Sequence, residues 1–476
     1  MATSVTATAG FREAELTGWG LRNRGRSRLA APRSTEELAA LIADLRTEGG
    51  GIALRGGGNS YGDAAVRAGG TVLSTTGLNR ITAWDAATGI VTAEPGVTIA
   101  QLWRQTVPDG WWPDVVPGTS AVTLGGAAAM NVHGKNNWHA GAFGDTVLAF
   151  ELLLPSGETL TCTRERNSDL FHAAIGGLGL LGCFASLTLQ TRRIHSGLVA
   201  EVQRPYGSLG ALLEALEEAT YWATDLVAWV DTSASGPCLG RGLLKAGRDL
   251  LPGEDPTPEA SLSVAAQLGS GGMARFVPAG LIPRLARPLT TSVGVWAANR
   301  MQWRRGRGRS ARADRLDTYA RANFLLDAIP NWRETYLPGG LLQHQAFVPR
   351  EAAAACFTEL LTRSQHTGIV PSLAVLKKHR PSGALLDYLC DGYSLALDYP
   401  VRRQSEARTL ALLRDLNDVT ADHDGRIYFA KDATATPAQV RRMYGDETLI
   451  RFVTLRQTYD PDGLLGSDLA QRIMPR

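Results

Sequence analysis

The chain has 476 residues, enough for two or three domains with full cores, and its 49 Lys+Arg against 46 Asp+Glu leave a net charge of +3. So even a balance argues against nucleic acid as a partner. Five cysteines (Cys162, Cys183, Cys238, Cys356 and Cys390) show no C-x-x-C spacing, so neither a metal site nor a disulfide framework is expected.

The first ten residues carry neither a basic n-region nor an apolar core, and no apolar run reaches the roughly 18 residues of a membrane span. A soluble cytoplasmic protein, at most peripheral at a membrane, is the expectation. Residues 1–18 are polar and expected to be poorly ordered. GWGLRNRG from Gly18 reads as an irregular entry. Ser34 and the acids Glu36 and Glu37 open an amphipathic helix from Thr35 to Arg46. Ile52 to Leu54 is a short buried strand that runs into a glycine loop. Strands are expected at Thr71 to Ser74 and Gly89 to Glu94, helices at Ile99 to Val107 and Gly125 to Met130. A hairpin turns at Pro155 to Gly157, a helix follows from Ser168, and Cys183 to Thr191 forms a strand.

Beyond Gly197 a helix is expected at Ser208 to Thr220 and a strand at Trp222 to Thr232, with 235–275 read as loop because of Pro252, Pro256 and Pro258. Asn299 to Arg312 is a basic run. It is either a mobile solvated loop or a contact for a phosphate-bearing substrate or an anionic membrane surface. Gly340 to Pro349, Ser372 to Lys378 and Tyr393 to Tyr399 read as strands, and Glu351 to Gln365, Ser405 to Asp418 and Pro437 to Tyr444 as helices. Strands alternating with covering helices give an α+β fold, with an antiparallel sheet in the second half.

Three glycine-rich stretches stand out. Leu54 to Asp63 reads LRGGGNSYGD, 117–136 reads PGTSAVTLGGAAAMNVHGKN, and Gly176 to Gly182 reads GGLGLLG. Successive glycines can turn their N–H groups into an anion nest, or simply make a tight turn between strands. The first stretch is neither a P-loop nor a G-x-G-x-x-G fingerprint. In their order and spacing the three resemble the FAD-binding domain of the vanillyl-alcohol oxidase flavoprotein superfamily. The nearest likeness within it is to the decaprenylphosphoryl-ribose 2′-oxidase family. It returns at LLQHQAFVP from Leu341, AVLK from Ala374, GYSLALDYP from Gly392 and YFAKD from Tyr428, and is poor over 197–320.

The resemblance implies an FAD-binding domain over 1–195, a substrate-binding cap over 196–424 and a segment over 425–476 that completes the first. Leu54, Arg55, Gly56, Gly57, Gly58, Asn59, Ser60, Tyr61, Gly62, Asp63 and Ala64 are expected at the cofactor. So are Gly118, Thr119, Thr123, Leu124, Gly125 and Gly126, then His133, Gly134, Lys135 and Asn136, with Phe184, Tyr428 and Lys431. Many superfamily members attach FAD to a histidine where this chain has Asn59, so noncovalent FAD is expected. Lys431 matches the family lysine that supports charge on the reduced flavin and is the first candidate for catalysis. His133 can serve as a base or as a structural bond, and Tyr61 and Tyr428 as hydrogen-bond donors or as packing. Asn323, Gln343, Gln345 and Lys377 would line the substrate cleft, or face water as polar strand residues. Ala396 stands where the family has an active-site cysteine. Asp398 and Asp432 are expected to position Lys431 or backbone and to move no proton.

The function implied is oxidation of a secondary hydroxyl of a sugar or glycosyl unit to a ketone, with hydride passing to flavin N5. The glycosyl unit would sit on a polyprenyl phosphate or a natural product. A separate NAD(P)H-dependent reductase would complete an epimerisation. The alternatives are an oxygen-using aldonolactone or alditol oxidase, and a non-catalytic scaffold for the reductase.

Overall fold

In the computed structural model the described residues are 10–22, 24–268, 282–309, 315–328 and 331–474. Strands Arg12–Leu16, Gly25–Ala30, Thr71–Ser74 and Ile52–Arg55 form a four-stranded sheet in that order, parallel at its centre. Helix Thr35–Glu48 covers it. Ser34 accepts the Glu37 amide at its N-terminus, and Leu38, Leu41, Ile42 and Leu45 are buried. A five-stranded antiparallel sheet follows, with Cys183–Gln190 between Ile90–Ala93 and Val147–Leu153. The short helix Leu124–Ala129 is made of small residues, so it packs closely behind the glycine loops; Thr123 caps it.

The second half is an eight-stranded antiparallel sheet. Its order runs Arg315–Thr318, Leu198–Tyr206, Gly242–Asp249, Asp225–Val230, Leu373–His379, Gly392–Pro400, Leu341–Pro349 and Arg426–Ile427. Because strand side chains alternate between faces, each central strand has two characters. Leu342, Ala346, Val348, Leu395 and Leu397 join a core under helices Leu209–Ala219, Ala353–His366 and Glu406–Asp422. Their neighbours Gln343, Gln345, Ser394, Ala396 and Asp398 face the other way, into a cavity.

The end of the chain returns to the beginning. Ile52 donates to Leu464 O at 2.7 Å, and Arg472 grips the buried carboxylates of Asp63 (2.8 Å) and Asp432 (2.8 Å). Four expectations fail. Arg12–Leu16 is a strand, ordered by pairing with Gly25–Ala30. Gly242–Asp249 is a strand flanked on both sides, so sheet context outweighs the nearby prolines. Asp446–Tyr459 is a helix where only an unassigned terminal segment was expected. The basic run is no loop through 299–309, because it belongs to helix Ser292–Arg309; residues 310–312 lie outside the described residues. Its low helix propensity is overcome by packing of Val295, Asn299 and Gly306 on the sheet.

Removing Arg472 would leave two buried carboxylates facing each other. Arg472→Ala should therefore cost about 3–5 kcal/mol of unfolding free energy, measured by urea titration. Breaking the exposed Arg24–Glu15 pair with Arg24→Ala should leave the midpoint nearly unchanged.

Candidate active site

The first glycine loop is held from two sides. Trp19 donates to Ser60 O at 2.8 Å, and Tyr61 donates to Ala430 O at 2.8 Å. A side chain on Gly62 would overlap the Asp432 carbonyl oxygen, so the loop lies directly on the Tyr428–Asp432 turn. Gly58 takes φ +66°, which glycine adopts without strain. Within the loop, the N–H groups of Gly57, Gly58, Asn59 and Ser60 donate to no acceptor among the described residues. They form a row of free donors at a cavity wall, as an anionic group requires.

That cavity, of about 1150 Å³, runs from the glycine loops along the open face of the eight-stranded sheet. It exceeds the roughly 300–1,000 Å³ of a single small-molecule pocket, so a large cofactor and a substrate fit together. Of the expected cofactor residues, Leu54, Arg55, Gly56, Gly57, Gly58, Asn59, Ser60, Tyr61, Ala64, Gly118, Thr119, Thr123, Gly125, Gly126, His133, Lys135, Phe184, Tyr428 and Lys431 line it. The substrate candidates Asn323, Gln343, Gln345, Lys377 and Ala396 line it too.

Five expected residues do not. Leu124 is buried in the core, Asp63 is tied to Arg472, and Gly62 faces the Asp432 turn. Gly134 packs towards Val116, and Asn136 donates to Asp114 O at 2.8 Å. Arg55 reaches the wall, but its guanidinium bonds Ala65 O and Thr17 O and so braces the loop. Asn59 donates to Ala121 O at 3.0 Å, which joins the first two glycine stretches.

Lys431 sits with Nζ 3.3 Å from the centre of the Tyr61 ring, which stacks on Trp19 at 4.5 Å. Desolvation lowers the Lys431 pKa, and Asp398 pulls it back up. Desolvation raises Asp398, opposed by the amide of Gln343, which donates to Oδ1. The two groups thus titrate as a pair, both drawn towards neutrality. Burial drives Lys377 down to about 7 and Lys135 to about 8, with a neighbouring lysine adding to each shift and Asp225 opposing it. Tyr61 is pushed far up by burial and stays protonated.

A buried hydrogen-bond chain fixes the direction of the amides. Asn137 Oδ1 accepts from Arg380 N–H at 3.2 Å, so His379 Nδ1 donates to the same oxygen at 2.9 Å. His379 Nε2 then accepts from Ser394 Oγ at 2.7 Å. Gln345 donates to Ser394 Oγ at 3.4 Å and to His133 Nε2 at 3.1 Å. Both amide hydrogens of Gln345 are therefore committed, and its Oε1 remains an acceptor. His133, lowered by burial and by Lys377, is neutral with Nε2 occupied. Sequence patterns do not reveal His379; it lies on the cavity-facing register of Leu373–His379, and that alternation is the one signal available.

The residues of the cavity wall meet the demands of a flavin dinucleotide. Comparison with known proteins agrees. The FAD binding domain family model matches residues 27–163. Decaprenylphosphoryl-beta-D-ribose oxidase of Mycolicibacterium smegmatis is 30% identical, over 96% of this chain and 97% of that protein. The chain belongs to this family. An uncharacterised Streptomyces coelicolor protein is 29% identical over 79% of the chain and 100% of its own length. L-gulonolactone oxidase of Bos taurus is 31% identical over 33% of the chain and 36% of that enzyme. The protein is an FAD-dependent oxidoreductase acting on CH–OH groups, and its family oxidises sugar-like substrates. No described helix is long and apolar enough to cross a membrane, and no described cluster of three His, Cys, Asp or Glu could hold a metal.

Asn59 offers no ring nitrogen for a covalent bond to flavin. Acid precipitation of the holoenzyme should therefore leave the yellow colour in the supernatant. Flavin that pellets with the polypeptide would show attachment elsewhere on the chain.

Proposed function

We infer that the chain oxidises a secondary hydroxyl of a glycosyl unit to a ketone, with Asp398 receiving the hydroxyl proton and Lys431 supporting negative charge. FAD, when bound, supplies the acceptor for the hydride leaving the carbinol carbon. The donors from Gly57 to Ser60 would hold its pyrophosphate, and the walls from Gly118 to Gly126 and from His133 to Lys135 would flank it. The observation that carries this is the convergence of Lys431, Asp398, Gln343 and Gln345 on one cavity.

Asp398 is preferred over His133 as proton acceptor on the hydrogen-bond chain above. His133 Nε2 already accepts from Gln345, whereas Asp398 Oδ2 has no donor among the described residues. The Oε1 atoms of Gln343 and Gln345 can each receive a substrate hydroxyl; that of Gln343 is buried without a partner. Lys135 and Lys377, further along the cavity, suit an anionic group on the substrate. With the name of the mycobacterial relative, this supports a pentosyl unit joined through phosphate to a carrier. A ketone so formed is what a separate NAD(P)H-dependent reductase would consume to invert the centre. The likeness to L-gulonolactone oxidase covers only a third of the chain and supplies no second substrate.

Anaerobic mixing with polyprenylphosphoryl pentoses and with natural-product glycosides tests the reading. One of them should bleach the flavin and lose two hydrogens by mass, and silence from both classes would sink it. Lys431→Ala should keep its FAD and reduce it at least about a hundredfold more slowly, roughly 2.7 kcal/mol of barrier. An unchanged rate with weaker FAD retention would make Lys431 a cofactor ligand only.

The pH dependence has a definite sign. The working state needs Asp398 deprotonated and Lys431 protonated, so flavin reduction should rise and then fall with pH, with both limbs near neutrality. Asp398→Asn should abolish the acid limb. It should also shift the alkaline limb to lower pH, because the carboxylate that favours the Lys431 charge is gone. An acid limb that survives in Asp398→Asn assigns the proton to another group.

A further inference from the structure

We propose that the outer face of helix Ser292–Arg309, with the turn before it, docks on an anionic lipid bilayer. The segment 282–309 contains seven arginines and no Asp or Glu. The chain carries +3 and this segment +7, so the rest carries −4. Six of the arginines, at 284, 287, 300, 304, 305 and 307, are exposed, and none forms an ion pair among the described residues.

Five large apolar side chains are exposed beside them. Leu285 is 68% exposed, Leu289 49%, Val293 77%, Trp296 52% and Met301 46%. Scattered exposed apolar residues need no explanation, but five within 17 positions form a patch. The helix shows which face Val293, Trp296 and Met301 occupy. Val295, Asn299, Trp303 and Gly306 lie inward at helical spacing; Asn299 bonds Thr232 Oγ1 at 3.0 Å and Gly306 packs against Leu243. Val293, Ala297, Met301 and Arg304 lie opposite, and Arg300 rests on the Trp296 ring.

An acidic protein would match the charge but leave the apolar row uncovered, and a second copy would set arginine against arginine. A bilayer with anionic headgroups satisfies both, since apolar side chains sink to the acyl boundary while arginines stay among the phosphates. The helix also borders the cavity, whose wall includes Gln302 and Arg315. A substrate held in the membrane would enter beside the docked face.

Sedimentation with phosphatidylcholine vesicles, with and without phosphatidylglycerol, tests this on the holoenzyme. Binding should require phosphatidylglycerol and fall with added salt. Arg304→Gln with Arg305→Gln should weaken it about thirtyfold, at roughly fivefold per charge. Leu289→Ser with Trp296→Ser should weaken it as well, with unfolding temperature unchanged. Equal binding to neutral vesicles overturns the proposal, as does an apolar double variant that binds like the wild type. A wild type that dimerises through this face and ignores vesicles also overturns it. The salt dependence of the wild type needs no variant, so a poorly folding variant leaves the proposal exposed to refutation.

Discussion

Tyr61 N–H and Ala430 O lie 369 positions apart in sequence, and the hydrogen bond between them closes the site. It presses the glycine loop onto the turn that carries Lys431. Gly62 permits the contact, because any side chain there would strike Asp432. Arg472 then clamps the same two segments through Asp63 and Asp432. The ammonium of Lys431 consequently rests on the Tyr61 ring in a desolvated corner, and its proton affinity falls. Loop geometry, terminal segment and titration behaviour therefore depend on one packing arrangement.

The sheet solves a second problem with the same backbone. Its covered face must be apolar to bind three helices, and its open face must hold polar groups without solvent. Strand alternation permits both. The polar face stays affordable because its members satisfy one another, as in the chain from Asn137 through His379, Ser394 and Gln345 to His133. Satisfaction is incomplete at Asp398 Oδ2, which has no donor among the described residues, and at Gln343 Oε1, His133 Nδ1 and Asn137 Nδ2, which are buried without a partner.

Much of this was legible in residues alone. The alternation of Gln343 and Gln345 was visible but left open whether they faced a cleft or water, and the glycine stretches pointed to a cofactor through their family resemblance. Leu124 and Asp63 show the limit: a motif names a stretch, while only packing decides which members turn inward. Asp398 shows another. The proton-accepting role proposed for it rests on a neighbouring amide and on burial, neither of which leaves a trace in its own sequence context. The strand Gly242–Asp249 and the helix Ser292–Arg309 were hidden for one reason. Each is stabilised by neighbours remote in sequence, against weak or contrary local signals.

The lysines of the cavity can be taken one step further. Lys135, Lys377 and Lys431 are all lowered by desolvation, and Lys377 is held down further by Lys135, as Lys431 is by Lys377. An anion entering among them favours their charged forms and raises their proton affinities. Binding such an anion must therefore take up protons, and by linkage its affinity must fall as pH rises through the range where the empty cavity's lysines lose charge. Enclosure that would be costly for a fixed ammonium thus makes the site selective. Lys377, lowered to about 7, is only partly charged near neutrality, and a negatively charged ligand in the cavity favours its charged form.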